Sequence, residues 1–347
     1  MKNRILAPAC VLLGFSLLAN ANQVGIITDK ESLNAAYTGK GYSPYAERDF
    51  PTFPLWGETH LHTGLSMDAG LFGNRLGLEE AYRFARGEQV TTSTGQPAKL
   101  ARPLDWIVIT DHSDMMGFVF DIKDGDPVVV ATEQGARWHK MMNGTPQEGV
   151  EAALDLITTF SNTRMDPKLV EAYAPGSAKY SDIWEQTIAA ADKYNDPGQF
   201  TALIGFEWTS LVRGGNMHRN VIFRDNADKV SQVAPFTQTP PFGSPNPLDL
   251  YNYLENYEKK TGGTVLAIAH NGNLSNGIMF PVDAQYDGRK LDKKYVEARA
   301  RWEPLYEVTQ IKGDGEAHPL LAPDDEFADY ETWDAGNLDP VSYTHLT

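Results

Sequence analysis

From about residue 55 the chain alternates short apolar runs with longer amphipathic ones. The apolar runs are rich in Val, Ile and aromatic residues. They predict strands at 55–62 (LWGETHLH), 105–112 (DWIVITDH), 200–209 (FTALIGFEWT), 218–224 (HRNVIFR), 264–271 (TVLAIAHN) and 305–312 (LYEVTQIK). Helical periodicity predicts helices at 76–87, closed by Gly87, at 148–160, at 180–195 with Ser181 as N-cap, and from Asn246-Pro247 to Gly262. A small hairpin is expected around Gly95 within 88–103. Residues 22–54 read as an irregular lead-in, and 113–175 as an inserted helical segment placed, after His112, to act as a lid. Strands alternating with helices predict an α/β fold around a parallel sheet with helical crossovers.

The polar residues in this pattern are not spread evenly. Each strand stays apolar until its last residues and then turns polar with a potential ligand. His60 and His62 end the first strand. Strand side chains alternate faces, so these two imidazoles share one side and make half of a metal site. His112 ends 105–112, Glu207 ends the apolar part of 200–209, and His270 ends the run VLAIAH. His218 opens 218–224 just past the loop that follows Glu207; from the residues alone it reads equally as a ligand or a loop histidine. In α/β barrels and open sheets the active site forms at the C-terminal ends of the strands. Buried imidazoles and carboxylates gathered there need a common partner, and metal ions satisfy all of them. His139 reads as a surface residue of the insertion, His318 as a loop residue, and His345 has no role.

Composition narrows the classes. The chain has 347 residues, 41% hydrophobic and 22% charged, ordinary for a globular protein with a sizeable core. Its formal net charge of −16 repels nucleic acid phosphates and anionic lipid heads, so neither is expected as a partner. Residues 1–21 read as a signal peptide: basic Lys2 and Arg4, an apolar run over 5–18, and the small pattern Ala19-Asn20-Ala21. The mature chain is then expected to begin near Asn22, in the bacterial periplasm or outside the cell, with no integral membrane anchor after cleavage. Cys10 is the only cysteine and lies in the segment to be removed, which leaves disulfides and thiolate chemistry out of the mature chain. A metal must therefore be held by His, Asp or Glu. A Gly-rich phosphate loop is absent, since GDGEAH does not match one.

Six stretches together, WGETHLHTGLSMDA, RPLDWIVITDHSD, ALIGFEWTS, HRNVIFRD, AIAHNGN and VTQIKGDGEAHP, resemble the polymerase-and-histidinol-phosphatase (PHP) superfamily, and within it the secreted DUF3604 family. The resemblance covers about residues 50–330. It implies a distorted (β/α)7-type barrel and a cluster of two or three divalent cations, zinc, manganese or iron, most often used to hydrolyse phosphoesters. By motif, His60 and His62 resemble ligands of the first metal, with Asp68 where the superfamily often has another. His112 matches the ligand of the TDH motif, with Asp111 beside it to orient a histidine or accept a proton. Glu207 resembles the carboxylate that bridges two metals, and His218 and His270 the ligands that complete the second.

The superfamily closes its site with a late Asp-x-His motif on a final barrel strand, and the chain has none. The expectation is a barrel incomplete at its C-terminus, a hydrolase domain over 22–340, and a non-native or truncated tail at 341–347. The implied activity is metal-dependent hydrolysis of a small, anionic substrate. Asp111 and Glu207 are the catalytic candidates, Arg219 and Lys312 bind the anionic group, and Glu316 is a further polar residue near the site. Two alternatives stand beside it: hydrolysis of an amide or ester by the same cluster, and a non-catalytic periplasmic protein that binds metal or carbohydrate.

Overall fold

The strand Trp106–Ile109 shows how the sheet is built: Ile107, Val108 and Ile109 are all fully buried, so both faces of the strand need cover. The structure is a computed structural model that describes residues 53–315, 319 and 322–329. The expected leader, most of the lead-in, Glu316, His318 and the 341–347 tail lie outside these residues. The chain divides after Pro54, and the fold is that of the unit beginning at Leu55.

Among the described residues a mixed six-stranded sheet forms the centre. Its strands are β1 (Gly57–Leu61), β2 (Trp106–Ile109), β3 (Thr201–Trp208), β4 (Arg219–Phe223), β5 (Val265–Ala269) and β6 (Leu305–Tyr306), and they lie side by side in that order. β1, β2 and β3 run parallel, β4 is antiparallel to both neighbours, and β5 and β6 are parallel again. The all-parallel expectation thus fails at β4. The reason is the connection: only 209–218 separates β3 from β4, and a parallel crossover needs about a dozen residues or more, usually with a helix. The chain instead turns back through the small ladder of Leu211–Val212 and Gly215–Asn216.

The sheet is curled into a half-barrel. Flat, its edge strands would stand roughly 24 Å apart at the spacing of hydrogen-bonded neighbours. Yet His60 at the end of β1 and Glu307 just past β6 are in direct contact at 2.8 Å. The expected seven-stranded barrel is seen here as six strands in open order. The run 305–312 is also not one strand. It leaves the sheet after Tyr306, and Thr309–Gln310 pairs back on Gly313–Asp314.

Alternation sorts the side chains into two layers. Ile107, Ile109, Ile204, Phe206, Val221, Phe223, Val265 and Ala267 point outward and pack with Tyr82, Trp184, Leu250 and Leu254 of the covering helices. Val108, Ile222 and Ile268 fill the inner, concave face. The helices follow their caps. Asn246 accepts from Leu248 N at 3.0 Å, and Gly262 ends that helix at φ +64°. The helix Ala178–Tyr194 starts earlier than expected, because Ser177 rather than Ser181 supplies the N-cap, accepting from Tyr180 N at 3.2 Å. The hairpin around Gly95 forms as expected. The 113–175 segment is helical and has its own core of Phe118, Trp138, Leu156 and Tyr173, into which Met67 is built. It therefore supports the short helix Met67–Leu71 from behind.

Gly205 sits on the inner face of β3, two residues before Glu207. A Cβ there would meet Val108 Cγ2 at 2.5 Å and the Val221 carbonyl oxygen at 2.7 Å. Gly205→Ala should push β3 from its neighbours and cost about 1–3 kcal/mol, the usual range for overpacking. Thermal unfolding would read this, and an unchanged melting temperature would show that the strands can part without cost.

Candidate metal centre

The concave face carries one polar assembly, at the end where β1, β2, β3 and β5 finish and β4 begins. Because β4 is reversed, its start lies beside the end of β3, which brings His218 next to Glu207. The same alternation that sorts the core places His60, His62, His112, Glu207, His218 and His270 on the inner side. Glu207 is fixed by backbone bonds on the β2 side: its N–H donates to Asp111 O at 2.9 Å, and its carbonyl accepts from Ser113 N at 2.8 Å.

Glu207 is the hub, with a side chain only 1% exposed. Its Oε1 lies 2.6 Å from His218 Nδ1 and 2.8 Å from His270 Nε2. Its Oε2 lies 2.8 Å from His62 Nε2, 3.0 Å from His112 Nδ1 and 3.8 Å from His60 Nε2. The five imidazoles close a ring around it: His60, His62, His112, His218, His270 and back to His60, with neighbouring centroids 4.0 to 5.8 Å apart. Asp68 extends the cluster. Its Oδ1 lies 2.8 Å from His62 Nδ1, and its Oδ2 lies 3.3 Å from His112 Nε2.

Charge follows this crowding. Burial alone would push the Glu207 carboxyl up, but His112, His218, His270 and His62 outweigh it and hold the group well below the usual range. Asp68 is likewise held low against burial by His62 and His112. Burial pulls His218 down to about 4 and His270 well below its ordinary value, despite Glu207.

Several atoms here lack the partner their burial calls for. His62 Nε2 and Glu207 Oε2 are 2.8 Å apart yet not aligned for a hydrogen bond. His218 Nε2 and His270 Nδ1 are buried and make none. Orphaned buried polar atoms are costly, and cations shared among them would remove the cost. Three groups of side chains bring their ligand atoms within 4.8 Å of one another: His60, Glu207 and His270; His62, Asp68 and His112; His112, Glu207 and His218. An all-nitrogen-and-oxygen donor set of this kind suits divalent transition metals. The residues present therefore fit the cation cluster expected of them.

Not every candidate joins the cluster. Arg219 lies on the opposite face of β4 from His218, and its side chain is fully buried against Glu303, with Nε 2.8 Å from Oε1. A guanidinium held there cannot reach a substrate, which corrects its expected role. Asp111 also points outward, in the phase of Ile107 and Ile109. Its carboxylate accepts from Thr63 N at 2.5 Å and Thr63 Oγ1 at 2.7 Å, and burial pushes its pKa up to about 6. It pins the turn after His62 instead of facing the cations, so a catalytic role is not supported by its position. Lys312 lies beside the cluster, 4.0 Å from Asp68 Oδ2 and 30% exposed.

Two residues that sequence reasoning passed over belong here. Glu307 meets His60, as described. Thr209 Oγ1 lies 2.6 Å from His112 Nδ1. Glu307 carried no motif signal, but Thr209 stands two residues after Glu207, in strand phase with it, and was findable on that ground.

Among known proteins, a sequence model of one family matches residues 49–346, that of a protein of unknown function (DUF3604). No curated protein and no solved structure matches the chain.

Proposed function

The chain belongs to the DUF3604 family, whose function is unknown, and we propose that it is a metal-dependent hydrolase of the PHP type acting on a phosphoester. One observation carries this reading: a buried carboxylate inside a closed ring of five imidazoles, with exposure rising toward Asp68 and Lys312. Glu207 and His270 form the floor at 1% and 0% side-chain exposure, while Asp68 and Lys312 form the lip at 28% and 30%. A purely structural metal site closes its coordination, whereas a catalytic one keeps a side open to substrate.

Two or three divalent cations are proposed, held by His60, His62, Asp68, His112, Glu207, His218 and His270, with zinc, manganese and iron as the candidates. Such ions, once bound, lower the pKa of a water and stabilise charge building on a substrate oxygen. Glu207 faces ligand groups on both sides and holds them in register. Lys312 places a positive charge at the lip, suited to an anionic group. Asp68, beside Lys312, is the more exposed of the two carboxylates in the ligand groups. A second reading, hydrolysis of an amide or ester, gains support from the burial of Arg219, which leaves fewer charges for an anion. Taken with the leader read over 1–21, the proposed place of action is the periplasm. Among the described residues no helix is long and apolar enough to cross a membrane.

The test is to strip the protein with a chelator, reload it with zinc, manganese or iron, count ions by mass spectrometry, and screen phosphomonoesters, phosphodiesters, esters and amides. Cation-dependent phosphoester turnover supports the first reading, ester or amide turnover the second, and a folded protein that retains no cation overturns both. Loading should also release protons. Burial pulls His60 and His62 down, but Glu207, with Glu307 for the first ring and Asp68 for the second, holds both above their ordinary values in the ion-free site. Raised values mean that these rings hold a proton more tightly than a free imidazole does, and a cation binds only the neutral ring. Affinity should therefore fall as pH drops, by up to about tenfold per unit for each proton displaced. Calorimetric titration in buffers of different ionisation enthalpy checks this; identical heats in all buffers would contradict it.

A further inference from the structure

On the β6 side the cluster is met by a residue outside the three ligand groups. Glu307 continues β6, with its N–H donating to Ala269 O at 3.2 Å. Its Oε2 accepts from His60 Nδ1 at 2.8 Å, across the gap between the two edge strands. The His60 ring is thereby divided: Nδ1 faces Glu307, and Nε2 faces Glu207 at 3.8 Å. His62, on the same side of β1, is divided the same way. Its Nδ1 meets Asp68 at 2.8 Å, and its Nε2 meets Glu207 at 2.8 Å.

An imidazole that donates Nδ1–H to a carboxylate is fixed in tautomer and orientation, and its free Nε2 becomes the more basic donor toward a cation. Glu307 is itself held from both sides. Tyr306 Oη accepts from Gly272 N at 2.9 Å and donates to Gly315 O at 3.0 Å. Beyond it Gln310 Nε2 donates to Asn271 Oδ1 and comes within 3.5 Å of His60 Nδ1. The segment after β6 is thus tied down beside His270 at several points, which a carboxylate needs if it is to hold another side chain still.

We propose that Glu307 is a positioning residue of the metal centre: it locks His60 with Nε2 directed at the cation shared with Glu207 and His270. This rests on the metal-centre reading above.

Glu307→Gln keeps the shape and an acceptor oxygen and removes the charge; Glu307→Asp keeps the charge and shortens the reach. Both are made in the full chain and titrated with Co²⁺, with the visible absorption spectrum as the reporter of geometry. Glu307→Gln should weaken Co²⁺ binding by about 10–100-fold and shift the spectrum, the usual consequence of removing such a partner. Glu307→Asp should recover part of the affinity, and both variants should unfold in chelator at the wild-type temperature. Wild-type affinity and spectrum in Glu307→Gln would overturn the inference and leave the metal-centre reading standing. Weakened binding matched by an equal loss of ion-free stability would overturn it too, since the role would then be structural. A wild-type protein that takes up no Co²⁺ would overturn both.

Discussion

Glu207→Gln should lower the ion content of the centre and slow hydrolysis by about two to three orders of magnitude, the scale associated with losing a central charge-stabilising group from a water-excluded site. Glutamine matches the shape of glutamate, so the fold has no steric reason to change. What changes is chemistry at the hub. The amide keeps one weak acceptor and turns the other position into a donor, among five rings whose nitrogens already face inward. Two of the three ligand groups contain Glu207, so a single substitution damages both. Removing the negative charge leaves the imidazoles to repel one another if protonated, so the variant should resist acid less well in the absence of cation. The check is ion content by mass spectrometry, beside thermal unfolding to confirm folding and an assay on whichever substrate the screen identifies. Full ion content in Glu207→Gln would remove Glu207 from the hub.

Arg219→Met should cost about 3–5 kcal/mol of stability, the range for leaving one member of a buried ion pair behind. Glu303, with its side chain 2% exposed, would keep only the Tyr251 hydroxyl at 2.8 Å and Arg299 Nε at 3.3 Å. The Met217 carbonyl, which accepts from Arg219 Nη1 at 2.6 Å, would lose its partner one residue before His218. A loss of this size is a large part of the 5–15 kcal/mol that holds typical domains folded. Arg219→Met combined with Glu303→Leu should recover much of it, because two apolar side chains replace two desolvated charges. Lys312→Met makes the contrast: on a partly exposed side chain it should leave the melting temperature alone and raise KM for an anionic substrate. Thermal unfolding and KM on the three variants decide the matter. An Arg219→Met protein of wild-type stability with a raised KM would restore Arg219 to the substrate.

Strand positions and the clustering of the histidines were legible because they rest on local signals. Apolar runs ending in His or Glu mark where strands stop, and strand stops in such folds gather on one edge. Alternation was used for His60 and His62, but its reach was greater. Carried along HRNVIFR, it separates Arg219 from His218, and carried along WIVITDH it separates Asp111 from His112. Both residues sit one step out of phase with a histidine of the cluster. The reversal of β4 was also present in the shortness of the 209–218 connection. Glu307 was passed over although it precedes VTQIKGDGEAHP directly: its role depends on the curl that brings β6 to β1, which no local pattern records. Ser181 lost to Ser177 because a serine within one turn of another leaves the helix start ambiguous until the chain before it is placed.

The ties that make up the centre span very different lengths of chain. Glu207 and His218 are separated by 11 residues, Glu207 and His270 by 63, His112 and Thr209 by 97, and His60 and Glu307 by 247. Closing a flexible loop costs entropy that grows with the logarithm of its length, so the longest of these ties starts about 3 kcal/mol behind the shortest. Contacts that wait on long closures tend to form late in folding. The hub can therefore assemble from a short stretch around the β3–β4 turn, while the seam between the first and last strands is the join that the chain reaches last and gives up first.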